Sequence, residues 1–130
     1  MENLLEYFEK AKGLGILGTA DKDGKVNAAL YAKPHFMEDG TIAFIMADRL
    51  THRYIQANSK AVYLFVEKSE EHYSGKRLYL TRVKESEDLA LIEELRRKRK
   101  CKCSGELKME KSFLVYFQID SVLPLVGDKE

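Results

Sequence analysis

Apolar residues along the chain change their spacing several times, and each change marks an element. Leu4, Leu5, Phe8 and Ala11 recur at helical spacing behind Asn3, and Glu6 follows Asn3 by three positions. This capping pattern predicts a short amphipathic helix that Gly13 terminates. From Gly15 the period shortens. Ile16–Ala20 reads as a strand and Asp21-Lys22-Asp23-Gly24 as a tight turn, since Asp offers local hydrogen bonds and Gly a positive φ. A longer strand is predicted from Lys25 to Met37, with Pro34 marking an edge or bulge because proline has no ladder N–H. Glu38-Asp39-Gly40 makes the next turn and Thr41–Ala47 a strongly apolar strand. Three strands joined by two tight turns predict an antiparallel meander.

The second half continues in the same style. Thr51 is the expected N-cap, and Asn58 the expected end, of a helix of about two turns. Ala61–Val66 is a fourth strand. Gly75 precedes a fifth, Lys76–Glu85, in which Leu78, Leu80 and the stem of Arg82 alternate with Tyr79 and Thr81. Ser86 is placed to cap a charged helix carrying Leu89, Leu91, Ile92 and Leu95, and Phe113–Ile119 is the last strand, with Val122-Leu123-Pro124-Leu125 behind it. Six strands and three short helices without regular βαβ alternation predict a mainly β chain folded as one antiparallel barrel, not a parallel nucleotide-binding sheet. Neither Gly-x-Gly-x-x-Gly nor a phosphate loop ending in Gly-Lys-Ser/Thr occurs. With no repeat or linker, residues 1–130 are read as a single domain.

Composition narrows the partners more than the fold. A net charge of +1 provides no global field toward nucleic acid or membrane, so any anion site must be built locally. No apolar run approaches the ~20 residues of a membrane helix. The N-terminus carries Glu2 and Glu6 where a secretory signal would carry bases and a long apolar stretch. A cytoplasmic protein is expected. Cys101 and Cys103 do not make a disulfide framework, and two soft ligands are too few for a structural zinc site, so no metal is expected.

The stretch from Ala47 to Asn58 carries the most chemistry. A strand ends, Arg49 supplies a guanidinium, and Thr51 opens a helix with Arg53 in its first turn. Helix N-termini present unpaired N–H groups and partial positive charge, which suits a phosphate, and a neighbouring arginine adds charge-assisted bonds. A solvated surface turn would carry the same residues, so the local pattern alone leaves both readings open.

The blocks Val26-Asn27-Ala28-Ala29-Leu30-Tyr31, Glu38-Asp39-Gly40-Thr41-Ile42-Ala43-Phe44 and Asp48-Arg49-Leu50-Thr51-His52-Arg53 through Asn58-Ser59-Lys60-Ala61 together resemble the flavin-binding split barrel of the pyridoxamine 5′-phosphate oxidase-related family. The resemblance covers about residues 13 to 85. It implies a six-stranded antiparallel split β-barrel, a flavin mononucleotide (FMN) cofactor, and a homodimer with the flavin at the subunit interface. Carried over, Asn27, Ala28, Ala29 and Leu30 would line the isoalloxazine ring with Met46 and Ala47, and Arg49, Leu50 and Thr51 would surround the phosphate. Residues around Lys111 to Tyr116 are candidates to reach the partner's flavin. The chain departs from the family at the phosphate turn, where Leu50 and Thr51 replace consecutive bases, and at Asn58-Ser59, where Asn-Pro is usual. It also lacks the longer C-terminal segment of the oxidase proper. The implied function is therefore an FMN-binding redox protein, an oxidoreductase or electron carrier with a small-molecule or protein redox partner, and not pyridoxamine-phosphate oxidation. A non-catalytic module for haem, a deazaflavin or a small anion is the alternative.

Three features compete. Arg96-Arg97-Lys98-Arg99-Lys100, with Lys102 beyond, is a dense basic run, but acids precede it on the same helix and no aromatics interleave it. That reads as a helix end favoured by the macrodipole, not a nucleic-acid site. Cys101-x-Cys103 reads as a pair of ordinary reduced thiols. Of His35, His52 and His72, His35 follows Pro34 on a strand and is a candidate general base, though a lone strand histidine is more often structural.

Overall fold

The computed structural model describes residues 3–98 and 111–127. Asn3 caps the first helix as its sequence predicts: its Oδ1 accepts the Glu6 N–H at 3.2 Å. Helix α1 (Leu4–Lys10) ends at Ala11, where the backbone turns extended, two residues before the expected stop. Gly13 instead starts strand β1 (Gly13–Ala20). A Cβ there would sit 2.0 Å from the Val66 carbonyl oxygen, so the close approach of a neighbouring strand explains the glycine.

The Asp21–Gly24 turn forms as expected. Asp21 Oδ1 accepts the N–H groups of Asp23 and Lys25 at 2.9 and 2.8 Å, and Gly24 has φ 86°. The strand beyond it does not run to Met37. It breaks into β2 (Val26–Leu30) and a two-residue β3 (His35–Phe36), with Pro34 buried between them. Proline lacks the N–H that a continuous ladder would need there. β3 pairs with β4 (Ile42–Ala47) across the predicted Glu38–Gly40 turn, and Gly40 has φ 88°. The three-strand meander is thereby replaced by two separate hairpins.

After β4 come α2 (Leu50–Ala57), β5 (Lys60–Glu67), β6 (Gly75–Ser86), α3 (Leu89–Lys98) and β7 (Ser112–Pro124). The strand order is β2-β1-β5-β6-β7-β4-β3, antiparallel throughout. The sheet thus has seven strands and is open, in place of the six-stranded barrel expected from sequence. The seventh strand is the product of the break at Pro34. The two hairpins of the first half sit at opposite edges, and β5, β6 and β7 fill the middle.

The sheet is nevertheless strongly rolled. Its edge strands β2 and β3 are joined by only residues 31–34, and five residue steps span at most about 17 Å. One apolar cluster takes side chains from β1, β5, β6, β7 and β4, including Leu17, Tyr63, Phe65, Leu80, Phe117 and Phe44. Tyr31 and Phe44 meet edge to face across the seam, their centroids 5.8 Å apart. Helix α2 closes one end by burying Ile55 in this cluster. On the outside, α3 lays Ile92 and Leu95 against Ala43, Leu114 and Tyr116, so β4 and β7 are covered on both faces. This double burial removes polar–apolar alternation from Ser112–Phe117. Asp88, not Ser86, caps α3: its Oδ1 accepts the Leu91 N–H at 3.2 Å, while Ser86 ends β6 and accepts the Asp88 N–H.

Candidate functional site

The candidate site is assembled where β2, the outermost strand of the first hairpin, meets the start of α2. Tyr31 N–H donates to the Gly15 carbonyl at 3.0 Å, and Asp21 N–H donates to the Lys25 carbonyl at 2.9 Å. These bonds fix the phase of the ladder. Residues 25, 27, 29 and 31 turn their backbone groups toward β1, so antiparallel alternation directs the N–H and C=O of Val26, Ala28 and Leu30 to the free edge.

Side chains alternate in the same phase. Asn27 and Ala29 are half-buried on one face, whereas Ala28 and Leu30 are exposed on the other. Asn27, Ala28, Ala29 and Leu30 therefore do not present four side chains to one ring. What a ligand along this strand meets is the backbone of Ala28 and Leu30. The small alanines leave that edge open.

At the end of β4, Met46 is fully buried in the core, and only Ala47 of that pair retains exposed surface. Ala47 accepts the Arg49 N–H at 2.8 Å, which turns the chain into α2. The residue in the N-cap position is Arg49 and not Thr51, and the helix has no side-chain cap. Its first-turn N–H groups lack the side-chain oxygen that usually satisfies them. Arg49 and Leu50 are exposed there.

Thr51 is missing from the cap because its side chain is turned inward. It is buried, and its Oγ1 accepts Asn27 Nδ2 at 3.1 Å, tying the helix start to β2. Tyr31 completes this corner. Burial raises its phenol above the ordinary value, opposed by a hydrogen bond with Thr51 and by the nearby charge of Arg49. Thr19, the cross-strand neighbour of Asn27, holds a buried hydroxyl without a hydrogen-bond partner. Tyr31 carries no expected role in sequence, yet period-two counting from Asn27 places it on the same face as Asn27 and Ala29.

His52 is a second feature that sequence alone did not resolve. It is buried, stacked on Phe113 with centroids 4.0 Å apart, and its Nε2 lies 3.2 Å from Glu85 Oε1. Gln56 Nε2 donates to the same carboxylate at 2.6 Å. This group fastens the other side of α2 to β6 and holds the turn that carries Arg49. No sequence signal links His52 to a residue 33 positions away.

Other candidates fall elsewhere. Ser112–Tyr116 is buried among its own neighbours, and of the stretch from Lys111 to Tyr116 only Lys111 is exposed, paired with Glu87 at 3.0 Å. His35 lines an open cavity of about 480 Å³ between α1, β3 and α3, together with Leu5, Phe8, Lys33 and Leu95, away from Arg49 and Thr51. His72 lies in the exposed link between β5 and β6. Arg96 is half-buried and donates to Ser112 Oγ at 2.8 Å, while Arg99, Lys100, Cys101, Lys102 and Cys103 lie outside the described residues. Among the described residues no group of three or more His, Cys, Asp or Glu side chains is arranged to hold a metal, and no helix is long and apolar enough to cross a membrane.

No family model and no curated protein matches the sequence. Solved structures do match the fold. An FMN-binding protein from Syntrophomonas wolfei subsp. wolfei superposes with a TM-score of 0.73 at 18% identity, covering 94% of this chain and 83% of that one. A proposed pyridoxamine 5′-phosphate oxidase from Lactobacillus delbrueckii gives 0.65 at 16% identity, over 95% and 93% of the two chains. HutZ, the heme storage protein from Vibrio cholerae, gives 0.67 at 14% identity, over 92% and 91%. The chain shares the fold of these structures.

Proposed function

We propose that this split-barrel chain is an FMN-binding redox protein, working as a homodimer with the flavin between subunits. The observation that carries the reading is the junction of an uncapped helix start with a free strand edge. Arg49 and the first-turn N–H groups of α2 supply positive charge and donors suited to a phosphate. The free N–H and C=O groups of Ala28 and Leu30 suit the polar edge of a flat heteroaromatic ring. The Asn27–Thr51 hydrogen bond connects the two halves. A phosphate at one end and a planar ring along the other is the shape of FMN, so the donor set fits this group.

Each residue then has a physical task. Arg49 pairs with phosphate charge. Thr51 and Asn27 fix the helix start against β2 before any ligand arrives, which lowers the ordering cost of binding. Tyr31, kept protonated by burial, holds a hydroxyl proton at the junction. Bound flavin would supply hydride or electron exchange, with the chain contributing orientation and electrostatics. Oxidoreductase activity and a small-molecule or protein redox partner belong to this reading, as does a cytoplasmic setting; nucleic acid and membrane do not.

The test is the absorption spectrum of the purified protein. A yellow protein with stoichiometric flavin, released as FMN on denaturation, is expected. A colourless protein that does not take up FMN on reconstitution overturns the proposal, and a Soret band would assign the site to haem instead.

A further inference from the structure

The break at Pro34 has a second consequence, on the side of the molecule away from Arg49. β3 pairs with only Ile42 and Ala43 of β4, and no strand lies beyond it among the described residues. The space past this short edge, between α1 and the end of α3, is the open cavity of about 480 Å³. Small-molecule sites fall in the range of roughly 300–1,000 Å³ and combine apolar walls with a few placed polar groups.

The walls are apolar on three sides, with Leu5 and Phe8 from α1, Pro34 and Phe36 from the seam, and Leu95 from α3. The β3 register explains how both faces of the sheet contribute. Phe36 pairs with the inward Ile42, its ring 6.0 Å from that of Phe8, whereas His35 pairs with Ala43, over which α3 packs. Charge on the lining is unequal, for Lys33 and Lys98 stand against Glu9 alone. Lys33 is held in place. Its ammonium donates to the carbonyl oxygens of Phe8 and Ala11 at 2.7 and 2.9 Å, where the end of α1 leaves carbonyls without helical partners. Its charge is thereby fixed on the cavity wall, while Lys98 is exposed at the last position of α3.

We propose that this cavity binds a small aromatic carboxylate, its ring against Phe8, Phe36 and Leu95 and its carboxylate toward Lys33 and Lys98. Two aromatic rings and a proline offer flat apolar contact to a ligand ring. One positive charge in excess selects an anion over a cation of the same shape, a preference that a groove holding only solvent would not show. The site is separate from the junction of β2 and α2. None of Asn27, Arg49 and Thr51 lines it, so it stands whether or not that junction holds a flavin.

Titrating the full chain with 2-naphthoate, followed by the fluorescence of the ligand, tests the site. Saturable binding of one naphthoate per chain is expected, with a Kd on the order of 100 μM for a ligand of this size. The cation of matching shape, 2-naphthylmethylamine, is expected to bind about tenfold more weakly or worse. Lys98→Glu reverses an exposed charge, and Leu5→Trp, at a position 45% exposed, fills the mouth of the cavity. Both variants are expected to keep the wild-type circular dichroism and to weaken naphthoate about tenfold. Saturating FMN is expected to leave naphthoate affinity unchanged. Absence of saturable binding, equal binding of acid and amine, or folded Lys98→Glu and Leu5→Trp proteins that bind as the wild type does would each overturn the proposal. Displacement of naphthoate by FMN would overturn it too, since the ligand would then occupy the edge of β2.

Discussion

Replacing Arg49 by alanine should weaken FMN binding and leave riboflavin binding almost untouched. The two ligands share the ring and differ by the phosphate, so their ratio isolates the proposed role of the guanidinium. Arg49 is exposed at the N-cap position and α2 has no side-chain cap, so truncating it removes charge without opening the core. Folding stability should then change by less than about 0.5 kcal/mol, as at most surface sites. A hydrogen bond to a charged group contributes about 1.5–3 kcal/mol, or roughly tenfold to a hundredfold in affinity. Exposure to solvent and salt places the expectation at the lower end, with the wild-type advantage shrinking as ionic strength rises. Titrating apo-protein with each ligand, followed by quenching of flavin fluorescence at two salt concentrations, gives both numbers. Equal losses for FMN and riboflavin would show that Arg49 holds no phosphate, and an unchanged FMN affinity would move the phosphate away from this turn altogether.

Further expectations concern the frame of the site. Gly15→Ala should destabilise the fold by about 1–3 kcal/mol or more, because its Cβ would lie 1.9 Å from the Tyr63 hydroxyl and 2.6 Å from the Tyr31 carbonyl oxygen; chemical denaturation measures this, and a neutral substitution would refute the close contact. Tyr31 has a raised phenol, so its contribution to stability is complete below the unfolded value near 10 and is lost as pH rises through the folded one. Alkaline titration of tyrosinate absorbance should show a late-ionising group that Tyr31→Phe removes. Asp39 should titrate at about 2, held down by hydrogen bonds from Thr41 and then by Lys84. Its contribution is present above the ordinary carboxylate value and lost as pH falls through about 2, and Lys84→Ala should raise the Asp39 value measured by carboxyl NMR.

What sequence disclosed and what it hid separate by the distance over which each residue finds its partner. Asn3, Asp21 and Gly40 act within four residues of themselves, so their cap and turns were legible. Thr51 looked like a cap for the same local reason, yet its oxygen is taken by Asn27, 24 positions earlier. Pro34 was correctly read as an interruption, but its consequence is larger than a bulge, for it splits one strand into two that lie at opposite edges. Alternation missed the length of β7, because a strand buried on both faces carries no alternating signal. That Arg49 stands beside a helix start was legible in the sequence. The opposed faces of Ala28 and Ala29 emerge only once the β1–β2 register is known.

The strand order also constrains how the chain can be made. β4, apolar on both faces, has only the two-residue β3 beside it until β7 arrives, and the first hairpin has no link to the second until β5, β6 and β7 lie between them. Residues 13–47 therefore emerge from synthesis as two ribbons with no ladder between them, each exposing surface that the finished sheet conceals. Their stability is lent by a strand roughly seventy residues away, the kind of long loop closure that slows folding. Shortening the chain before Ser112 would remove an interior strand of the sheet instead of trimming its edge, and the nascent protein is most prone to aggregation during the interval before that strand is supplied.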